Sequence, residues 1–343
     1  MPSSSKEPLD QVLSNYKFKV LSIRNESYKD KKGVWWIQTP DGLKILKKIS
    51  NSEATLKHIL HAVRHLTDKG INIPSVNKTT SGQDYVNIEG VCYVVSDAVE
   101  GRNPSYNIPD QLAAVVKGLA AFHKASEGFK ILQESKPKFH LGTWVRDYQE
   151  QVSDMNKYYQ NEASLGANNE AGSIILKEFP YFFARAQKAI EGLNNSEYTA
   201  WVEKANQKGS LCHQDFAAGN LILTSSRKLY VLDTDSITID IPARDIRKLL
   251  NKIMKKHSKW DLDLTKKIFA HYQSVNPLTP EEWRVVKYDL MYPHLFIGAM
   301  SKYYYKREKE WTLSNYAKKI QDSAAIEKTI EPLLENFDAI IPV

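Results

Sequence analysis

Residues 211–235 read LCHQDFAAGNLILTSSRKLYVLDTD. Leu221-Ile222-Leu223-Thr224 and Lys228-Leu229-Tyr230-Val231-Leu232 are β-prone runs separated by Ser225-Ser226-Arg227, so the segment contains a hairpin. Its surroundings are of another kind. Apolar residues recur at helical spacing over 111–126, 144–159 and 178–192 before it, and over 246–256, 263–272, 281–305 and 314–336 after it. An isolated hairpin among helices needs a reason, and its ends supply one. Asn220 precedes the first strand and Asp233 follows the second, so the hairpin returns the two polar side chains to one place.

The loop before the hairpin, His213-Gln214-Asp215-Phe216-Ala217-Ala218-Gly219-Asn220, has the form H-x-D-x-x-x-x-N. That spacing is the catalytic-loop pattern of kinase-like phosphoryl transfer. The chemistry requires a carboxylate that accepts or orients the proton of an attacking hydroxyl, for which Asp215 is the candidate. It also requires oxygen ligands for Mg²⁺, which offsets charge on the phosphates; Asn220 and Asp233 are the candidates, chelating one or two ions between them. His213 is expected to brace the loop. Asp245, in Ile241-Pro242-Ala243-Arg244-Asp245-Ile246, is placed to cap the next helix and to brace the same loop.

The first hundred residues differ again. Residues 34–39 and 43–49 are β-prone and flank Pro40-Asp41-Gly42, a hairpin signature. Ser50-Asn51-Ser52 offers cap residues for a helix over 53–69, with Leu56, Ile59, Leu60, Val63 and Leu66 on one face and Gly70 as its stop. A second hairpin is expected over 78–80 and 85–88, followed by a buried strand at 91–95. Glu100-Gly101-Arg102-Asn103-Pro104 then breaks both periods. The expected division is an N-terminal lobe over 1–97 and a catalytic and substrate lobe over 98–343, giving an α+β, two-lobed fold.

Composition narrows the classes of function. At 343 residues the chain exceeds one typical core, which agrees with two lobes. Its formal charge of +7 favours anionic partners such as nucleotides, but the cations are interspersed with acids and no nucleic-acid module accompanies them, so nucleic acid is not expected. No apolar run approaches the ~20 residues that span a bilayer, so no membrane partner is expected either. Glu7 and Asp10 fall where a secretory signal would be apolar, which points to cytoplasmic synthesis. Cys92 and Cys212 are far apart in apolar stretches and read as packed thiols. His58, His61 and His65 share a helical face without an adjoining acid or cysteine and are expected to be a partly exposed face rather than a zinc site. Residues 233–237 begin like a calcium loop but place Ile237 at a ligand position.

The order of these features carries a family resemblance. A small β-rich lobe, Leu119-Ala120-Ala121-Phe122-His123, the H-x-D-x-x-x-x-N loop, the hairpin, Leu232-Asp233 and then Asp245 resemble the aminoglycoside phosphotransferase and choline kinase superfamily over roughly residues 20 to 300. More closely, 79–85, Glu100-Gly101-Arg102, 122–129 and Tyr303-Tyr304-Tyr305 resemble the CotS-related coat proteins of spore-forming bacteria.

The resemblance implies a protein-kinase-like fold that binds ATP and Mg²⁺, moves the γ-phosphoryl group to a hydroxyl-bearing small molecule, and is assembled into the spore coat beside other coat proteins. It implies that Lys47 reaches the α and β phosphates, with Lys44 and Lys48 as competitors, and that Glu53 is its acidic partner. Adenine would meet the backbone after the 91–95 strand, at Asp97 and Val99. The phosphate loop matches 25–33, which holds a single glycine, Gly33, with Lys29, Lys31 and Lys32 as possible substitutes. A loop so poor in glycine leaves a second expectation open: a structural coat component that keeps the fold with little or no catalysis.

Overall fold

The structure, a computed structural model, describes residues 7–26 and 33–342; Lys29, Lys31 and Lys32 of the expected phosphate loop lie outside them. The chain divides into two compact units. The first takes the described residues up to Ser105, together with Phe129–Lys138 and Ala218–Ile237. The second takes Tyr106–Gly128, Phe139–Ala217 and the chain from Thr238 onward.

The first unit is built on an antiparallel sheet of β1 (Ser22–Asn25), β2 (Val34–Thr39), β3 (Gly42–Ile49), β4 (Val86–Ile88) and β5 (Val91–Asp97), in the order β1-β2-β3-β5-β4. The β2–β3 hairpin forms as the sequence predicts, with Thr39 opposite Gly42 and Val34 opposite Lys47. Gly42 has φ +117°, a conformation open to a residue without Cβ.

Side chains alternate across β3. Leu46 joins one core with Trp35, Ile37, Tyr93 and Val95, covered by Val12, Leu13 and Tyr16 from the chain start. Ile49, on the opposite face, packs with Cys92 against Leu56 of the helix Glu53–Asp68. Ser52 caps that helix, accepting from the Thr55 N–H at 3.3 Å.

Two details depart from the sequence reading. Residues 78–80 form no strand; the Thr79 N–H donates to the Gln83 carbonyl in a tight turn, and β4 pairs with β5 instead. His58 is fully buried rather than on a partly exposed face, and His58, His61 and His65 all pack on the Phe129 ring. Burial pushes the His58 imidazole down to about 4, with the neighbouring His61 adding to it, so His58 is neutral at physiological pH.

The 221–231 hairpin belongs to this first unit. Leu221 pairs with Val231 and Leu223 with Leu229. It is tied to the rest of the unit by Asn72, whose carbonyl accepts from the Val231 N–H at 2.9 Å and whose amide donates to the Leu229 carbonyl at 3.2 Å, and by a bridge between Arg102 and Leu223.

The second unit is mainly helical, with a short antiparallel pairing of Leu211–Cys212 and Thr238–Ile239. Its helices include Pro109–Ala125, Trp144–Leu165, Glu170–Asn194, Tyr198–Lys208, Ala243–His257 and Leu262–Gln273. The helix expected from 178 begins eight residues earlier, at Glu170, capped by Asn169 and keeping Pro180 inside. An interior proline costs about 3 kcal/mol, and here the buried Ile175, Phe179 and Phe182 on either side of it hold the helix together. The helix expected over 281–305 is two, Pro280–Met291 and His294–Tyr304. Pro293 forces Tyr292 into extended backbone at ψ 126°, which ends the first. No helix among the described residues is long and apolar enough to cross a membrane.

Candidate active site

Lys47 is the meeting point of the first unit. Its ammonium lies 2.6 Å from the carboxylate of Asp233 and 2.6 Å from that of Asp235. β-strand alternation selects it over its neighbours. Lys44 and Lys48 project from the other face of β3, where Lys44 pairs with Asp97 at 2.7 Å and Lys48 with Glu7 at 2.5 Å. Burial opposes the Lys47 charge, but the carboxylates of Asp235 and Asp233 outweigh it and hold its pKa above the usual lysine value.

Lys47, Asp233 and Asp235 stand at the polar end of a cavity of about 250 Å³. The remaining lining is mostly aliphatic, including Ile45, Leu60, Val76 and Val94. A cavity with apolar walls and a few convergent charges is the usual form of a small-molecule site.

The hairpin performs the return that its sequence suggested. The Leu232 N–H donates to the Asn220 carbonyl at 2.8 Å, which sets the start of Asp233 beside Asn220. Asp233 adopts left-handed backbone at φ +52°, ψ 54°. Aspartate tolerates that region better than most residues, and such conformations cluster at functional sites. The Asp235 carbonyl is held in turn by Lys138 Nζ at 2.9 Å and by the Asn51 amide at 3.3 Å.

Asp235 joins the candidates here although the sequence reading did not name it as one. The signal for it is the Asp-x-Asp spacing after an apolar strand. The donors available here, two carboxylates and the Asn220 amide oxygen, are all hard oxygen ligands, and that set suits Mg²⁺.

Three other candidates fall differently. Glu53 does not pair with Lys47. Its carboxylate accepts from Tyr85 Oη and the Asn87 amide, both at 2.6 Å, and lies 3.6 Å from Lys57, because the first turn of its helix faces β4 rather than the cavity. The Asp97 N–H donates to the Ser75 carbonyl at 2.9 Å, and its carboxylate binds Lys44 and the Asn77 amide. Val99 is half-buried just beyond β5. Neither Asp97 nor Val99 lines the cavity.

In the second unit the H-x-D loop is held from below by Asp245, which is 1% exposed at the first turn of the helix Ala243–His257. Its carboxylate accepts from the backbone N–H of His213 at 2.5 Å and of Gln214 at 2.8 Å, and lies 3.3 Å from His123 Nε2. His123 Nδ1 is 2.8 Å from Tyr272 Oη. Burial disfavours the Asp245 charge; the hydrogen bond and charge of His123, with His213 behind them, more than compensate and hold the carboxyl below its usual range.

Gln214 is left-handed at φ +72°, and that bend turns Asp215 away from the buried brace. His213, fully buried, has its Nδ1 3.3 Å from the Asp215 N–H and braces the loop as expected. The Asp215 side chain is 45% exposed and contacts Lys252, while Lys248 donates to the Gln214 carbonyl at 3.0 Å and to its amide oxygen at 2.6 Å.

A five-stranded antiparallel unit carrying a lysine against two aspartates, and a mainly helical unit carrying a braced H-x-D loop, define a kinase-like phosphotransferase fold. Solved structures share it. An aminoglycoside phosphotransferase from Alicyclobacillus acidocaldarius superposes with a TM-score of 0.79 over 98% of this chain and 99% of its own, at 19% identity. A spectinomycin phosphotransferase, solved with ADP and spectinomycin, gives a TM-score of 0.65 over 97% and 100%, at 12% identity. Within that class, residues 16–337 match the family described as spore coat putative kinase YutH, and the chain belongs to that family. It is 31% identical to spore coat protein S of Bacillus subtilis (strain 168), over 96% of this chain and 93% of that one.

Proposed function

We propose that this protein is a spore coat-associated phosphotransferase that moves the γ-phosphoryl group of ATP to a hydroxyl of a small molecule. The observation that carries the reading is the pairing of Lys47 with Asp233 and Asp235 in a cavity whose remaining lining is mostly aliphatic. Two carboxylates and one ammonium in that arrangement suit a ligand that brings phosphates and a divalent cation together: the ammonium is the phosphate clamp, and the carboxylates are the metal ligands.

Asn220, Asp233 and Asp235 would hold Mg²⁺, which when bound offsets the charge of the phosphates. Lys47 holds the α and β phosphates in line. Asp215 accepts the proton of the acceptor hydroxyl as its oxygen bonds to the γ-phosphorus and the bond to the β-phosphate oxygen breaks, leaving ADP. Asp245, His213 and His123 position Asp215 and touch no substrate.

Binding to the native state alone must raise the melting temperature, so the first test is a thermal-shift titration with ATP and Mg²⁺. A saturable rise in wild type that is lost in Asp233→Ala supports the reading. No rise at millimolar nucleotide in either protein would sink it and leave a structural coat component with a kinase-like fold.

A further inference from the structure

The helix Ala243–His257 carries Arg244, Arg247, Lys248, Lys252, Lys255 and Lys256 against a single acid, Asp245. The two arginines are neutralised within the fold: Arg244 contacts the buried Asp240, and Arg247 lies 3.2 Å from the buried Asp289. Of the lysines, Lys252 faces one half-exposed acid, Asp215, and Lys248 donates to neutral oxygens. Lys248, Lys252 and Lys255, at spacings of four and three, share one helix face, and its first two lysines meet the H-x-D loop.

Lys248 has two neutral oxygens of Gln214 as its acceptors. Burial and the nearby Arg247 guanidinium push it down to about 8, with the Asp245 carboxylate opposing them. Lys252 contacts the Asp215 carboxylate. Lys255 has Lys252, Lys302 and Lys319 among the charges acting on it, with Glu327 the acid among them. Glu327 is itself occupied, contacting Arg185 and accepting from the Leu295 N–H at 2.7 Å. Lys302 is paired with Glu308 at 2.6 Å.

Resting on the phosphotransferase reading, in which the acceptor hydroxyl meets Asp215, we propose that the acceptor is an anion: a small polyol or hydroxy compound that carries a carboxylate or a phosphate, held by Lys252 and Lys255 with Lys248 behind them. An acceptor whose hydroxyl reaches Asp215 brings the rest of its body alongside this lysine face. A polycation there meets like charge, whereas an acidic group adds counter-charge to a face on which cations outnumber acids and draws Lys252 off Asp215, leaving that carboxylate to take the proton. The group transferred and the proton balance are those of the reaction above.

The experiment measures ADP release from Mg²⁺·ATP by the full chain, with gluconate as the carboxylate arm and glycerol 3-phosphate as the phosphate arm. Glycerol and sorbitol serve as neutral acceptors, kanamycin and choline as cationic ones, all at equal concentration. We expect at least one anion to stimulate release roughly tenfold more than any neutral or cationic compound. In Lys255→Glu we expect that anion's KM to rise roughly tenfold while the ATP-induced thermal shift stays at the wild-type value, and Lys255→Arg to restore it. Stimulation by choline, kanamycin or a neutral polyol equal to that by the anions overturns the inference. So does a lack of stimulation by either anion while ATP still raises the melting temperature. A chain that shows no ATP shift at all fails at the phosphotransferase reading, and this inference falls with it.

Discussion

The ammonium of Lys47 and the carboxylate of Asp233 are 2.6 Å apart although 186 residues separate them in the chain. The pair draws together the middle strand of a sheet and the end of a distant hairpin, and Asp235 completes it from the other side of the same turn. Removing the ammonium leaves two mutually repelling carboxylates in a half-buried place. Lys47→Ala is therefore expected to lower the melting temperature of the ligand-free protein by about 2–4 °C, corresponding to about 1 kcal/mol in a domain of this size. It is also expected to abolish the shift produced by Mg²⁺·ATP. Differential scanning fluorimetry reads both, and a variant that keeps the full ATP shift removes Lys47 from the site.

Asp215 makes a different prediction, because its proposed partner is the acceptor and not the nucleotide. Asp215→Ala should leave the ATP-induced thermal shift at the wild-type value and lower acceptor-dependent ADP release by about 10²–10⁴-fold, the range for loss of a general base. Equal turnover by the two proteins would show that another group takes the proton.

Asp245 links the site to stability. Its carboxyl is held below the usual range in the folded chain, so its contribution is fully present above the unfolded carboxylate pKa of about 4 and is lost as pH falls through the lower folded value. Asp245→Asn keeps the shape but loses charge-assisted acceptance of the His213 and Gln214 N–H groups. We expect it to cost about 1.5–3 kcal/mol at pH 7. Urea titrations at pH 7 and pH 3 should show the gap between wild type and Asp245→Asn narrowing on acidification; a gap that stays constant would assign the loss to packing alone.

Sequence carried the second half of the site better than the first. The H-x-D-x-x-x-x-N loop and the hairpin after it are contiguous, so Asp215, Asn220 and Asp233 could be proposed from local spacing and turn chemistry, whereas Lys47 was singled out from Lys44 and Lys48 only by the family resemblance. The Lys47–Glu53 pairing could not, because a helix start fixes which residue is first but not which way its side chain turns, and Tyr85 and Asn87 take that carboxylate. The joined helices at 281–305 failed for the opposite reason: the apolar period runs on through Tyr292, and one proline outweighed it. Asp235 and Lys252 were missed because each acquires meaning only from a partner distant in the chain, Lys47 in one case and Asp215 in the other.

Lys248 supplies the last prediction, in alkaline solution. Its folded pKa is pushed down to about 8, below the value near 10.4 of an unfolded lysine. Below about pH 8 both states carry the proton, and the folded protein bears the cost of a charged, partly buried ammonium. Between about pH 8 and 10.4 the folded state has released the proton and the unfolded state still holds it, so this group makes stability rise with pH across that window. Replacing it with an uncharged side chain of similar length, Lys248→Met, removes the contribution. The stability of the variant relative to wild type should therefore be highest below pH 8 and should decline steadily as pH rises to 10.4. Parallel urea titrations at pH 7, 8, 9 and 10 measure that difference directly, and a difference flat across the four values would show that burial does not depress the Lys248 pKa in the folded chain.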